Sequence, residues 1–236
     1  MRTRVLETSA EVASAAADLL AGEVAALPDM ALALPTGRTP LPFYDELARR
    51  HQAAAIDLRR ARAFNIDEVV LPREDPRTFR AFMARHVWER TGLRRELCGI
   101  PDAGAADLEA ECRRYEDAIA TAGGLDLAIL GVGTDGHVAY NLPGPITLPT
   151  HVVRLPDGLA ASLGVPAEAW PLRAITMGLG TIRSARAILV IATGASKATA
   201  VRALARGPAD PEWPCTFLTS HPDILVLADH AAAAAL

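Results

Sequence analysis

Apolar residues recur at helical spacing from Ser9 to Leu27, with Glu11 and Glu23 on the polar side and Ser9 placed as an N-cap, so the chain is predicted to open with a helix. Ala31-Leu32-Ala33-Leu34 is a short apolar run closed by Pro35-Thr36-Gly37-Arg38-Thr39-Pro40, after which Leu41 to Arg50 resumes a helical period. This reads as strand, loop, helix. A second strand ends in Ala63-Phe64-Asn65, and a third runs from Leu125 to Leu130 into Gly131-Val132-Gly133. Ala187 to Ala192 is a fourth, followed by Thr193-Gly194-Ala195-Ser196-Lys197 and a helix to about Ala205; Asp223 to Ala228 supplies a late strand. Helices are predicted at about Arg77 to Glu89 and Asp107 to Ala120. The alternation predicts a single-domain α/β fold, a mostly parallel sheet with helices on both faces. Ligands in such sheets bind at the carboxyl ends of the strands.

Residues 141–171 break the alternation with repeated prolines and little helical period apart from a turn near Leu159 to Leu163, and they are the candidate lid. The whole chain, 1–236, is expected to form one domain, because its 236 residues, half of them hydrophobic, suffice for one full core. A net charge of −4 gives no basic field, so nucleic acid is not expected as a partner. No stretch approaches the roughly 20 apolar residues of a membrane span, and the start lacks a secretory signal. Cys98, Cys112 and Cys215 are odd in number and far apart, which argues for free thiols, not a disulfide framework or zinc site. A soluble, cytoplasmic protein is expected.

Candidate chemistry lies at the predicted strand ends. The loop Thr36, Gly37, Arg38 and Thr39 offers backbone N–H groups, two hydroxyls and a guanidinium at a helix start, which suits an anion; the same residues also suit a plain turn. Asp67 and Glu68 follow a strand, so one can face a cleft as a general base while the other serves the scaffold, or both can cap a helix. Gly131-Val132-Gly133-Thr134-Asp135-Gly136 spells G-x-G-x-x-G, yet Val138 to Pro145 leaves room for at most one helical turn, which argues against a dinucleotide site. Those glycines instead project Asp135 and His137 together, a carboxylate beside an imidazole that can handle protons. Lys197 can reach an anion from its helix start or can be simply solvated. His51, His86, His151, His221 and His230 show no metal-ligand spacing, and no metal is expected.

Taken together, Leu34 to Pro40, Phe64 to Glu68, the helix around Leu108 to Glu116 and Gly131 to Asn141 resemble the glucosamine-6-phosphate deaminase (isomerising) family, over nearly the whole chain. The resemblance implies that Asp67 moves the C2 proton and that His137, with Asp135, assists ring opening. It implies that Thr36, Gly37, Arg38, Thr39 and Lys197 hold the phosphate of a phosphorylated sugar, with no cofactor. Two features depart from the family pattern. Leu142 stands where the family has a glutamate coupled to ring opening, and the lid arginine has no counterpart, its position falling near Ala160. Arg38 stands where relatives carry a second glycine and is expected to take over part of the anion binding. Leu142 keeps open a 6-phosphogluconolactonase-like lactone hydrolase, and both changes keep open a non-catalytic sugar-phosphate-binding regulator. A homo-oligomer is also left open, since an apolar helix face can pack within the chain or against a second copy.

Overall fold

The structure is a computed structural model that describes residues 1–236. Its strands are β1 (Arg2–Leu6), β2 (Ala31–Leu34), β3 (Arg62–Asn65), β4 (Asp67–Val69), β5 (Cys98–Gly99), β6 (Leu127–Gly131), β7 (His151–Arg154), β8 (Arg173–Thr176), β9 (Ala187–Ala192) and β10 (Ile224–Asp229). Its helices are α1 (Ser9–Ala26), α2 (Leu41–Gln52), α3 (Phe79–His86), α4 (Trp88–Thr91), α5 (Leu108–Thr121), α6 (Asp157–Ser162), α7 (Leu179–Arg183) and α8 (Ala198–Arg206). Seven strands form one sheet in the order β1-β10-β9-β6-β2-β3-β5, with every neighbouring pair parallel.

The two-residue period of the strands divides the core. Leu32 and Leu34 of β2 and Leu127 and Ile129 of β6 pack on one face with α1 and α2. Ala31 and Ala33, with Ala128 and Leu130, pack on the other with Tyr115 and Ile119 of α5 and with α8. A sheet covered on both faces needs apolar residues at every strand position, which is why these strands read as unbroken runs. Fully burying each of the leucine and isoleucine side chains contributes roughly 1.5–3 kcal/mol before chain entropy is counted, and each alanine methyl less.

Several predicted details differ. The N-cap of α1 is Thr8, whose hydroxyl accepts from the Glu11 amide, and Ser9 is already helical. The helix predicted from Arg77 breaks at Val87 into α3 and α4. The parallel sheet is joined by a second sheet, β4-β8-β7, which is antiparallel and pairs Asp67 with Thr176 and Thr176 with His151. Strand β7 lies inside residues 141–171, so part of the candidate lid is built into this sheet, while the predicted turn near Leu159 is α6. A small apolar cluster beneath it joins Val69, Phe79, Tyr140, Leu155 and Leu172, with Leu142 packed against it.

Candidate active site

Strands β9, β6, β2 and β3 are consecutive in the sheet, so the loops leaving their carboxyl ends converge. The order in which successive strands join the sheet reverses between β2 and β6: β3 follows β2 on one side, while β6, β9 and β10 build outward on the other. That is a topological switch point, where open α/β sheets place ligands. A cavity of about 200 Å³ occupies it. Every residue predicted for the site lines this cavity except Asp135, which lies behind His137.

The loop after β2 forms one rim. Gly37 has φ 97°, the left-handed region that glycine adopts without strain, and the chain then enters α2 at Pro40. Arg38 is exposed and makes no salt bridge within the protein, while the buried Tyr44 hydroxyl donates to the Pro35 carbonyl at 2.6 Å and fixes the loop from below. Lys197 forms the opposite rim, half-buried just ahead of α8. Burial lowers its pKa, Asp135 pulls it back up, and the positive charge of Arg38 pushes it down again. Two cations therefore face one space.

Asp67 and Glu68 divide their tasks as alternation along a strand requires. Asp67 lines the cavity and is buried, and its Oδ1 has no protein partner. Burial first, and the neighbouring Glu68 second, push its pKa well above the usual carboxylate range. Glu68 instead accepts the amides of Val69 at 2.9 Å, Phe79 at 2.7 Å and Arg80 at 2.8 Å, and so caps α3. Burial raises its pKa as well, and those three hydrogen bonds oppose the rise.

The loop after β6 carries the dyad. Gly136 donates to the Gly133 carbonyl, and Gly133 donates to the His137 carbonyl at 2.8 Å, which folds the loop back on itself. His137 Nδ1 then lies 2.6 Å from Asp135 Oδ1. This contact holds the Asp135 carboxyl down at about 2, against the rise that burial would give. With Nδ1 engaged, Nε2 is the nitrogen left to meet a ligand in the cavity. The site thus combines a buried unpaired carboxyl, an oriented imidazole and a cationic rim.

Leu142 packs into the small apolar cluster and does not line the cavity. Three residues that sequence reasoning passed over also shape the site. Phe79 and Tyr140 form a stacked wall, with ring centroids 6.0 Å apart and planes 22° from parallel. Asp229, at the end of β10, accepts the Gly194 amide at 3.0 Å and holds the loop that leads to Lys197. An acidic residue closing a strand, the signal used for Asp67, was there to be read at Asp229. The stacked pair unites residues 61 positions apart and left no local signal. No group of three or more His, Cys, Asp or Glu side chains comes together as a metal cluster, and no helix is long and apolar enough to cross a membrane.

Comparison with known proteins places the chain among sugar-phosphate enzymes. The family model described as glucosamine-6-phosphate isomerases/6-phosphogluconolactonase matches residues 6–226. The glucosamine-6-phosphate deaminase of Arthrobacter sp. (strain FB24) is 40% identical over 241 residues, covering 100% of this chain and 93% of its own length. That of Bacillus velezensis is 39% identical over 228 residues, covering 94% of this chain and 95% of its own length. A solved structure of a monomeric glucosamine-6-phosphate deaminase superposes with a TM-score of 0.94 at 34% identity, covering 100% of both chains. The 6-phosphogluconolactonase of Trypanosoma brucei, 23% identical with a TM-score of 0.78 over 100% of this chain and 98% of its own, shares the fold.

Proposed function

The chain belongs to the glucosamine-6-phosphate isomerase/6-phosphogluconolactonase family, and we propose that it is a glucosamine-6-phosphate deaminase, turning the aminosugar phosphate and water into a ketose phosphate and ammonia. The observation that carries this reading is Asp67, a buried carboxyl that makes no hydrogen bond to the protein and lines the same cavity as His137 and the cationic rim. A carboxyl held this way is costly unless a ligand uses it. An aminosugar brings an ammonium group at C2, the complementary charge, together with the C–H bond that a base must break.

The steps follow from the placement of each group. Arg38, Lys197 and the amides and hydroxyls of Thr36 to Thr39 hold the phosphate, which points the sugar's C1–C2 end toward Asp67 and His137. His137, held in one orientation by Asp135, passes the anomeric hydroxyl proton to the ring oxygen, which opens the ring to an aldehyde. Asp67 removes the C2 proton to give an enolamine and returns it to C1. The resulting C2 iminium adds water and expels ammonia, leaving a ketone at C2. Binding of the ammonium lowers the Asp67 pKa at the moment it must act as a base. Leu142 brings no proton to this site, so ring opening rests on the His137–Asp135 pair alone.

We take residues 141–171 as the lid, with Leu163 after α6 as the part that reaches the cavity. All the proposed groups come from one chain, so the reading requires no second copy. Three free thiols suit a reducing compartment, and we place the reaction in the cytoplasm. The test is to incubate the purified protein with glucosamine-6-phosphate, its galacto epimer and 6-phosphogluconolactone while following ammonia, ketose and acid. Ammonia and ketose that vanish in Asp67→Asn are the expected result. Acid release from the lactone that needs His137 but not Asp67 would replace this reading with a lactone hydrolase, and binding without turnover would replace it with a regulator.

A further inference from the structure

Polar side chains around the cavity are unevenly placed. Arg38, Lys197, Thr36 and Thr39 occupy the rim, and Asp67 and His137 the floor. The rest of the lining carries no charged side chain, and one wall of it is built from Ile66, Phe79, Leu163 and Tyr140. Its only side-chain polar atom is the Tyr140 hydroxyl. Tyr140 is buried, with 7% of its surface exposed, yet its hydroxyl makes no hydrogen bond to the protein and is not among the sealed, unpartnered polar atoms. The hydroxyl therefore opens onto a cavity. Tyr140 borders both this cavity and the neighbouring one lined by Leu142 and His151, and its ring stacks on Phe79, which faces this cavity alone.

The tyrosine is also held in place. Ala139 before it sits at φ 51°, a left-handed conformation disfavoured for a residue with a side chain, and the Tyr140 amide donates to Thr176 Oγ1 at 3.0 Å. Thr176 is the direct β-partner of Asp67, so one short sheet fixes the separation of the phenol from the carboxyl. Burial, then the charges of Asp67 and Glu68, push the phenol pKa well up, so the hydroxyl keeps its proton and can donate it in a hydrogen bond. A donor that holds its proton, on an apolar wall beside the base, suits an oxygen that becomes negative when the base acts.

We propose that Tyr140 is a catalytic hydrogen-bond donor that stabilises the developing negative charge on the substrate oxygen at C1 while Asp67 removes the C2 proton. This rests on the deaminase reading above. It also gives the site a polar contact to the reacting carbons other than the one lost at Leu142.

Tyr140→Phe keeps the ring stack and removes only the hydroxyl. The expected result is a fall in kcat of about 10- to 100-fold with KM within about twofold, the loss typical of one oxyanion donor or somewhat less. The thermal midpoint should not move. A second readout uses binding alone: a phosphorylated sugar hydroxamate, planar and negative where C1 and C2 would lie, should bind the variant about 10- to 100-fold more weakly. A phosphorylated 2-amino sugar alcohol, with no carbonyl, should bind both proteins alike. Unchanged kinetics, a rise in KM alone, or equal weakening of both analogues would overturn the proposal. A wild-type protein that releases no ammonia would overturn the deaminase reading instead, and the two analogues would still decide the role of Tyr140.

Discussion

Gly133 and His137 are packed so closely that a Cβ on Gly133 would lie 2.2 Å from the imidazole Nδ1 and 2.6 Å from Asp135 Oδ1. No real Cβ tolerates such contacts, so a methyl group here must push the ring off the carboxylate. Gly133→Ala should leave the sheet intact, since the clash involves only the loop. Turnover should drop by at least about 100-fold, the usual weight of a positioned acid–base group. Near-normal kcat with near-normal stability would show that the dyad geometry is not needed.

Asp135→Asn tests the same pair from the other side. The amide matches the carboxylate in shape but carries no charge to orient and support the imidazole, so kcat should fall on the order of 10²–10⁴-fold. Its effect on stability has a definite sign. The Asp135 carboxyl is held at about 2, below its ordinary value of 3.8. Its stabilisation is therefore complete above about pH 4 and disappears as the pH falls through about 2. The pair is half exposed and solvent screens it, so the difference between the two proteins should be small at pH 7 and vanish in strong acid. Acid titration of circular dichroism for both proteins measures it.

Asp67 has the opposite sign. Its folded-state pKa lies above the ordinary value of 3.8, so the folded protein pays for the ionised form. That penalty is absent below about pH 4 and grows as the pH rises toward the folded-state value. Asp67→Asn should abolish ammonia release while raising stability at pH 8 by roughly 1–3 kcal/mol, a gain of several degrees in Tm. Melting curves at pH 4 and pH 8 check this. A variant no more stable at pH 8 than the parent would mean that the carboxyl is not strained in the free protein.

Much of this site was legible because the relevant loops follow buried parallel strands, whose continuous apolar runs stand out. Leu34, Asn65, Leu130 and Ala192 each close such a run, and the candidate residues come directly after. The second sheet was not legible. Its strands hold only three or four residues each, and Asp67 meets Thr176 across more than a hundred positions, so tertiary pairing and not local pattern creates it. Strand β1 was missed for another reason: it is an exposed edge strand containing Arg2, Thr3 and Arg4, without an apolar run. Leu142 was visible as a residue, but its direction was not. Only the packing of the small cluster shows that the side chain turns away from the cavity.

The cationic rim should act on binding. Arg38→Gly and Lys197→Met should each raise KM for the phosphorylated sugar by about 10- to 100-fold, the weight of a hydrogen bond to a charged group. Both effects should shrink as salt is added. The two charges repel in the free protein, where Arg38 pushes the Lys197 pKa down. Removing Arg38 should therefore move the Lys197 pKa back toward its ordinary value, detectable by NMR titration of the lysine side chain. An Arg38 variant with unchanged KM would assign the phosphate to Lys197 and the loop amides alone.

Glu68 offers a test of scaffold against chemistry, because it is adjacent to Asp67 yet bonds only to backbone. Its two oxygens accept three amides, two of them, Phe79 and Arg80, at the first turn of α3. Glu68→Ala would leave those donors without a partner in a buried position, at a cost of roughly 2–4 kcal/mol. Glu68→Asp, shorter by one methylene, cannot span β4 and α3 equally well and should fall between. Both variants should lower the urea midpoint before they lower kcat, since Phe79 is the residue of the cavity wall that α3 carries. If Glu68→Ala unfolded at the parent's midpoint but lost turnover completely, Glu68 would have to be counted with the proton-transfer groups instead of the frame that holds them.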